Sequence, residues 1–119
     1  MPIALITGST GLIGSESSLF FLNKGFEVVG IDNNLRKTFF GKDGDTSWIK
    51  NTLIKNKNYK HYNCDIRNPD EVKKIFSKYK KNISIVVHAA AQPSHDYAKD
   101  NLHLDFKVNA EGTLNIFYN

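Results

Sequence analysis

Residues 3–14 read Ile-Ala-Leu-Ile-Thr-Gly-Ser-Thr-Gly-Leu-Ile-Gly and carry the strongest structural signal in the chain. The run Ile3–Thr7 is apolar without interruption, which is typical of a strand buried on both faces of a parallel sheet. Three glycines, Gly8, Gly11 and Gly14, follow directly at a spacing of three. A buried strand that passes through a glycine-rich turn into a helical pattern predicts an α/β fold.

The rest of the chain alternates the same two patterns. The predicted order is strand Ile3–Thr7, helix Gly11–Lys24 stopped by Gly25, strand Glu27–Asp32, strand Tyr59–Asp65, helix Asn68–Lys81, strand Ile83–His88 and a helix over Tyr97–Asn119. Such alternation gives parallel strands joined by right-handed crossovers. We therefore predict one domain over residues 1–119, with a partial Rossmann-type doubly wound sheet of about four strands in the order 3-2-1-4 and helices on both faces.

Two predicted helices carry more specific expectations. Asn68 is a good N-cap, and Glu71 would complete a capping box with it. In the last helix we expect one apolar stripe to face the core, formed by Leu102, Phe106, Ala110, Thr113 and Phe117.

The segment Asn33–Asn58 is too long to be a simple loop in a compact domain. We expect a short helix over Thr46–Lys55, with Ile49 and Leu53 facing inward. The aromatic residues of this insert would either cover a bound ligand or form a satellite core; they are Phe39, Phe40 and Trp48.

Composition and charge argue against nucleic-acid-binding, membrane and secreted proteins. The 119 residues include 16 Lys/Arg against 12 Asp/Glu, for a net charge of +4, and the lysines are scattered without an aromatic–basic platform. We predict no nucleic-acid partner. Apolar stretches are far shorter than the ~20 residues of a membrane span, so we also predict no membrane partner. The single cysteine, Cys64, fits a reducing compartment, and no basic segment precedes the first strand, so we expect a cytoplasmic protein without a signal peptide.

The glycine turn predicts a phosphate site. Gly8 permits a tight strand-to-helix turn, Gly11 lets a pyrophosphate approach the backbone, and Gly14 lets the helix pack near the sheet. Free N–H groups at the helix start would face the phosphates. The predicted binding residues of this turn are Gly8, Ser9, Thr10, Gly11, Leu12, Ile13 and Gly14. The alternative is a glycine-rich turn with packing duties only.

An acidic residue at the end of the second strand extends the prediction to a dinucleotide. The Asp32 carboxylate would accept hydrogen bonds from the adenosine ribose hydroxyls and repel a 2′-phosphate, which favours NAD over NADP. Its neighbours Asn33, Asn34 and Arg36 belong to the same predicted site, and Arg36 complicates the preference because an arginine can host that phosphate. We predict no metal site.

Four segments, in the right order along the whole chain, resemble the extended short-chain dehydrogenase/reductases. They are Thr7–Gly14, Asp65–Arg67, His88–Ala91 and Val108–Thr113. Three further segments are similar to the CDP-paratose 2-epimerase group of the NAD-dependent nucleotide-sugar epimerases and dehydratases. They are Gly30–Asn33, Phe39–Asp43 and Ala91–Asp96.

The resemblance implies roles for further cofactor residues. Asp65 and Ile66 would hold the adenine, although Asp65 could instead cap the turn before Asn68. The small side chains of Ala89, Ala90 and Ala91 would line the cofactor beside the nicotinamide ribose.

The same resemblance assigns residues nearer the sugar. Gln92 and Ser94 would face the nicotinamide and sugar region, unless they are simply polar loop residues. His95 is placed near the substrate, but a loop histidine bonded locally is the alternative. Asn109 would belong to the cofactor site and tie the last helix to the loop after the fourth strand.

The resemblance also implies an activity and shows what is missing for it. Members of the family use NAD to take a hydride from a nucleotide-linked sugar and return it, with a Tyr-x-x-x-Lys pair moving the proton. No tyrosine of this chain has a lysine four positions later, so we assign no catalytic residue. The open alternatives are a 2-epimerase, a 4-epimerase or 4,6-dehydratase, and a non-catalytic dinucleotide-binding module or redox sensor.

The final residues, Thr113–Asn119, are helix-like without any stop signal. We expect the chain to be a fragment, with the remaining strands, the sugar-nucleotide domain and its nucleotide-sugar contacts outside it. The fourth strand would then be an unpaired apolar edge, and such edges recruit other chains. We expect self-association through this strand, or a homodimer in the parent enzyme.

Overall fold

The computed structural model describes residues Met1–Asn119 and contains one parallel sheet of four strands. The strands are β1 (Ile3–Thr7), β2 (Glu27–Ile31), β3 (Tyr59–Tyr62) and β4 (Ile83–His88), in the order β3-β2-β1-β4. This confirms the predicted fold class and strand order. The third strand ends earlier than predicted, because only Tyr59–Tyr62 pair with β2.

Seven α-helices surround the sheet. They are α1 (Leu12–Asn23), α2 (Leu35–Phe40), α3 (Ser47–Leu53), α4 (Pro69–Tyr79), α5 (His95–Asp100), α6 (Leu102–Phe106) and α7 (Gly112–Phe117), with a 3-10 turn at Gly41–Gly44 and a π turn at Lys107–Glu111. None of the helices has the length and apolar character needed to cross a bilayer.

Alternate residues of β1 supply two separate cores, one on each face of the sheet. Ile3 and Leu5 pack with α4 and with the helices at the end of the chain. Ala4 and Ile6 pack with α1 and α3 through Leu22 and other residues. Full burial of a Leu or Ile side chain contributes about 1.5–3 kcal/mol, so the uninterrupted apolar run is what allows this strand to lie in the middle of the sheet.

At the start of helix α4, the structure confirms the predicted N-cap but not the predicted capping box. The Asn68 side-chain oxygen accepts hydrogen bonds from the backbone N–H of Asp70 (3.1 Å) and of Glu71 (3.2 Å), which confirms the N-cap. The capping box is wrong, because the Asn68 N–H that Glu71 would bind donates instead to the Asp65 carbonyl at 2.9 Å.

The insert is more ordered than the sequence predicted. Helix α3 falls within the expected range, with Leu53 buried and Ile49 packed against the same core. Helix α2 and the 3-10 turn were not predicted. The Phe39 ring packs against Tyr97 of α5 at 5.2 Å between centroids, which joins the insert to the loop after β4, whereas Trp48 is 68% exposed.

The prediction of one continuous helix over Tyr97–Asn119 is wrong. The chain breaks at Asn101, and the π turn follows α6. The predicted apolar stripe is also wrong: its members Leu102 and Phe117 are 70% and 81% exposed.

The buried side of this segment consists of Val108, Gly112 and Ile116, at a spacing of four. A π turn contains more residues per turn than an α-helix, so it rotates the following residues away from the 3.6-residue pattern. Gly112 lies against Ile66, whose Cδ1 would be 2.6 Å from a Cβ at position 112. Close approach of the helix to the segment after β3 therefore selects this face.

Candidate functional site

A cavity of about 210 Å³ lies at the carboxyl ends of the strands, where ligands of open α/β sheets bind. Most of its lining comes from the turn after β1, the end of β2 with the start of the insert, and the loop after β4, and the segment after β3 and the π turn complete it. The predicted cofactor residues that line it are Gly8, Gly11, Leu12, Ile13, Gly14, Asp32, Asn33, Arg36, Ile66, Ala89, Ala90 and Ala91.

The three glycines of the turn have different reasons to lack a side chain. Gly8 has φ +66°, and a Cβ there would be 2.7 Å from the Ala90 nitrogen. A Cβ on Gly14 would overlap the Gly8 carbonyl. A Cβ on Gly11 would meet only the Gly8 oxygen, at 3.3 Å. The protein's own packing therefore requires Gly8 and Gly14, while the space at Gly11 opens into the cavity.

Helix α1 presents its N-terminus to this cavity. Gly11 is the N-cap residue, and no side chain caps the helix. Leu12 and Ile13 of the first turn line the cavity and are 74% and 64% exposed. Uncapped first-turn N–H groups and the positive end of the helix dipole make this a favourable place for an anion.

Asp32 follows β2 and connects two walls of the cavity. One carboxylate oxygen accepts from the Asn34 N–H at 2.7 Å, and the other accepts from the Thr10 N–H at 3.2 Å. A carboxylate has about four acceptor positions, so capacity remains for two hydroxyl donors. The Arg36 guanidinium lies over the Phe40 ring, 4.7 Å from its centroid, and forms no ion pair with Asp32.

Three predicted site residues use their side chains to support the turn. The Ser9 hydroxyl bonds to the Tyr59 hydroxyl at 2.9 Å, and the Thr10 hydroxyl bonds to Thr46 at 2.8 Å. The Asn34 amide donates to Asp45 at 2.7 Å. None of these three residues lines the cavity.

Asp65 also has its carboxylate engaged within the protein. Arg67 donates from its backbone N–H and its Nε to one carboxylate oxygen, each at 2.9 Å. Partial burial opposes ionisation, but these hydrogen bonds and the arginine charge prevail and lower the pKa of Asp65. The neighbouring Ile66 lines the cavity whereas Asp65 does not, so the geometry matches the turn-capping alternative.

The loop after β4 is held by buried polar contacts. Gln92 is 5% exposed, and its side chain donates to the Ser94 carbonyl (3.0 Å) and to Asp105 (2.9 Å). The Ser94 hydroxyl caps α5 by accepting from the Tyr97 N–H at 3.1 Å. His95 lies exposed at the start of that helix. These side chains shape the loop and do not line the cavity.

Asn109 joins the last helical segment to the same loop. Its side-chain oxygen accepts from the Gln92 N–H at 2.7 Å, and its amide donates to the Gln92 carbonyl at 3.2 Å. The contact is the one the resemblance implied, although Asn109 lies in the π turn at the protein surface.

Several lining residues were missed by the sequence analysis. They are Ile31, Leu35, Thr46, Cys64, Pro93 and Val108. Cys64 lies just beyond the carboxyl end of β3. Because ligands of open α/β sheets bind at the carboxyl ends of the strands, its position in the sequence could have indicated it. Burial raises the pKa of its thiol to about 12, so it packs as a neutral group. Leu35 and Thr46 come from the insert, in which only the helix over Thr46–Lys55 was predicted. No three His, Cys, Asp or Glu side chains come together as metal ligands.

Comparison with known proteins gives a consistent set of similarities. The family model described as GDP-mannose 4,6 dehydratase matches residues 5–118. A CDP-paratose 2-epimerase of Salmonella typhi is 32% identical over 112 residues, covering 94% of this chain and 30% of the relative. A UDP-glucuronate 4-epimerase of Thermodesulfobacterium geofontis is 36% identical over 119 residues, covering 98% and 34%. The chain thus spans about a third of the length of these relatives.

Solved structures of nucleotide-sugar epimerases are also similar to this chain. The UDP-glucose 4-epimerase of Thermotoga maritima, solved with UDP-glucose, has a TM-score of 0.77 and 25% identity, covering 96% of this chain and 32% of that one. A UDP-glucuronic acid 4-epimerase mutant of Bacillus cereus, in complex with a fluorinated UDP-sugar and NAD, has a TM-score of 0.76 and 26% identity, covering 96% and 34%.

Proposed function

Because this chain belongs to the GDP-mannose 4,6 dehydratase family, we propose that it is the NAD-binding part of an NAD-dependent nucleotide-sugar epimerase. The observation that carries the proposal is Gly11. The protein's own packing constrains this position much less than Gly8 or Gly14, and the missing side chain opens space beside an uncapped helix N-terminus. A pyrophosphate is the group that needs both features.

The remaining walls of the cavity suit the other parts of NAD. The free acceptor positions of Asp32 would receive the adenosine ribose hydroxyls, and Ile66 would contact the adenine. Ala89–Ala91 would lie beside the nicotinamide ribose, where small side chains allow close contact. Bound NAD would supply reversible hydride transfer with the sugar. The 210 Å³ volume is below the roughly 300–1,000 Å³ of typical ligand sites, as expected if this chain supplies only part of the site.

At a finer level, we propose a CDP-paratose 2-epimerase-like parent activity. The similar Salmonella typhi protein and the segments of the insert and of the loop after β4 support this. The 4-epimerases among the relatives favour the nearest alternative, a UDP-sugar 4-epimerase, and a 4,6-dehydratase remains the third. The sugar nucleotide would bind mainly through parts of the family fold that this chain does not contain. We place the protein in the cytoplasm.

We further propose that the 119-residue chain is catalytically inactive by itself. It has no Tyr-x-x-x-Lys pair, so no tyrosinate is available to take the sugar hydroxyl proton. The same observation favours the second candidate, a non-catalytic dinucleotide-binding module. An assay of the chain with NAD and CDP- or UDP-sugars tests this inactivity: epimer formation would contradict it and would also exclude the non-catalytic module.

The test of cofactor binding is a calorimetric titration of the chain with NAD and with NADP. We expect NAD to bind more tightly, because a 2′-phosphate would lie against the Asp32 carboxylate. The matched variant Asp32→Asn removes the charge and should narrow the difference. No binding at millimolar NAD would overturn the proposal, and tighter binding of NADP would overturn the cofactor assignment.

A further inference from the structure

His88, the last residue of β4, lies between two threonines from other elements. Its Nδ1 is 2.6 Å from the hydroxyl of Thr7 at the end of β1. Its Nε2 is 2.9 Å from the hydroxyl of Thr113 in α7. The imidazole thus links the residue before the glycine turn to the last helix, across the loop that lines the cavity.

The protons of this chain of hydrogen bonds can be assigned because each hydroxyl has only one. The Thr113 hydroxyl donates to the Asn109 carbonyl at 2.7 Å, so the proton shared with His88 must come from Nε2. At the other end the Ala90 N–H donates to the Thr7 oxygen at 3.1 Å, which leaves the Thr7 proton for Nδ1. Only the neutral Nε2–H tautomer gives every contact one proton.

A charged imidazole would break this order. Burial lowers the pKa of His88, which favours the neutral ring. A second proton on Nδ1 would point at the Thr7 oxygen and leave the Thr7 hydroxyl proton without an acceptor. Thr7 is fully buried, so water cannot replace that acceptor.

The two ends of this chain of hydrogen bonds, Thr7 and Asn109, hold the two ends of the loop after β4. Thr7 binds the Ala90 N–H, and Asn109, whose carbonyl accepts from Thr113, binds both backbone groups of Gln92. We propose that His88, in its Nε2–H tautomer, is a positioning residue that couples these two anchors and so sets the place of residues 89–92 against the glycine turn. Its effect on the cofactor rests on the proposed NAD-binding function.

The test compares Thr113→Val with Thr113→Ser in the 119-residue chain. Valine keeps the shape but removes the hydroxyl, whereas serine keeps it, and Thr113 is half-exposed and outside the cavity lining. Nitrogen-15 NMR of the wild-type imidazole should show the Nε2–H tautomer. The amide signals of Ala90 and Gln92 should move in Thr113→Val and stay in Thr113→Ser. An Nδ1–H or mixed tautomer in the wild type, or unmoved amides in the valine variant, would overturn the proposal.

NAD titration of the same variants gives the second readout. We expect Thr113→Val to bind NAD roughly fivefold more weakly than Thr113→Ser, the effect of about one net hydrogen bond. Equal NAD affinities despite moved amide signals would overturn the link to the cofactor. A wild type that binds no NAD would defeat the proposed function, while the tautomer and the amide signals would still decide the role of His88.

Discussion

Gly11 and Gly14 lie three residues apart in the same turn, but a methyl group added to each would meet different surroundings. At Gly14 it would overlap a backbone carbonyl that cannot move without moving the turn. At Gly11 it would meet one oxygen at 3.3 Å and otherwise occupy the cavity. The requirement at Gly14 is therefore steric and internal, whereas at Gly11 the proposed function assigns the space to a pyrophosphate.

This difference predicts that alanine at position 14 mainly lowers stability, whereas alanine at position 11 mainly weakens NAD binding. We expect Gly14→Ala to lower the free energy of unfolding by about 2 kcal/mol or more, from overpacking. Gly11→Ala should cost less than about 1 kcal/mol, as for a changed N-cap, but weaken NAD binding by roughly tenfold or more. Urea unfolding and NAD titration measure the two quantities. Equal losses of stability in both variants would contradict the assignment.

The two half-buried histidines at the strand ends predict a pH dependence of stability. Burial lowers the pKa of both His61 and His88 in the folded chain, and the charge of Lys50 adds to the effect on His61. The unfolded chain, with histidines near their usual pKa of about 6.5, therefore binds protons more readily. The stabilising contribution is complete above about pH 6.5 and is lost as the pH falls through the lowered folded pKa values.

Urea unfolding between pH 7.5 and 5 should show this loss, with a slope of at most about 1.4 kcal/mol per pH unit for each histidine. In His88→Gln the slope should be smaller, because one of the two groups no longer titrates. The carboxyls of Asp45 and Asp65, whose pKa values are lowered, act in a separate window below about pH 4. An unchanged slope in His88→Gln would contradict the prediction.

Among the elements, α4 has the clearest boundary signal and the simplest test. Asn68→Ala removes the acceptor for two first-turn N–H groups and should lower the free energy of unfolding by about 1 kcal/mol. Asn68→Asp keeps a side-chain oxygen in the same place and should remain within a few tenths of the wild type. A loss in Asp equal to that in Ala would show that the cap itself does not stabilise the helix. Thermal or urea unfolding measures both.

In the final helical segment, by contrast, the local sequence pattern predicts the wrong buried face. Its sequence periodicity favours a stripe through Leu102 and Phe117, yet the chain buries Val108 and Ile116. The π turn at Lys107–Glu111 changes the rotation per residue, and the Asn109 contacts to Gln92 hold that turn against the loop. A contact between segments distant in sequence thus outweighs local periodicity.

At the scale of the whole molecule, β4 is one of the two edges of the sheet, opposite β3. It has no Lys, Glu or Pro to discourage pairing, and its Ile85 and Val86 are 41% and 38% exposed. We expect the 119-residue chain to self-associate at high concentration, and Ile85→Lys to shift it toward monomer in sedimentation velocity. Trp48→Lys, at an exposed apolar position on α3 outside the sheet, is the control. An equal effect of both variants, or a monomeric wild type, would contradict association through β4.

Local patterns predicted most of the framework. Strand β1 and the bounds of β4 agree with the predicted ranges residue for residue, and the sheet has the strand order expected of a Rossmann-type fold. The place of Asp32 at the cavity also followed, because the carboxyl ends of parallel strands meet at one edge. Side chains of Ser9, Asp65 and Gln92 were harder to place, since their partners Tyr59, Arg67 and Asp105 compete for them inside the protein.

The amino-acid sequence alone determined the strand–helix order, the glycine turn and the acidic strand end, because these depend on steric limits and periodicities within a few residues. The three-dimensional arrangement of the chain sets which face of the last helix is buried, which polar side chains reach the cavity, and how His88 joins Thr7 to Thr113. The difference arises because these contacts join residues that lie far apart in the sequence. A hydrogen bond between residues 81 apart, such as that from Thr7 to His88, leaves no local pattern and forms only when the sheet brings two strand ends together.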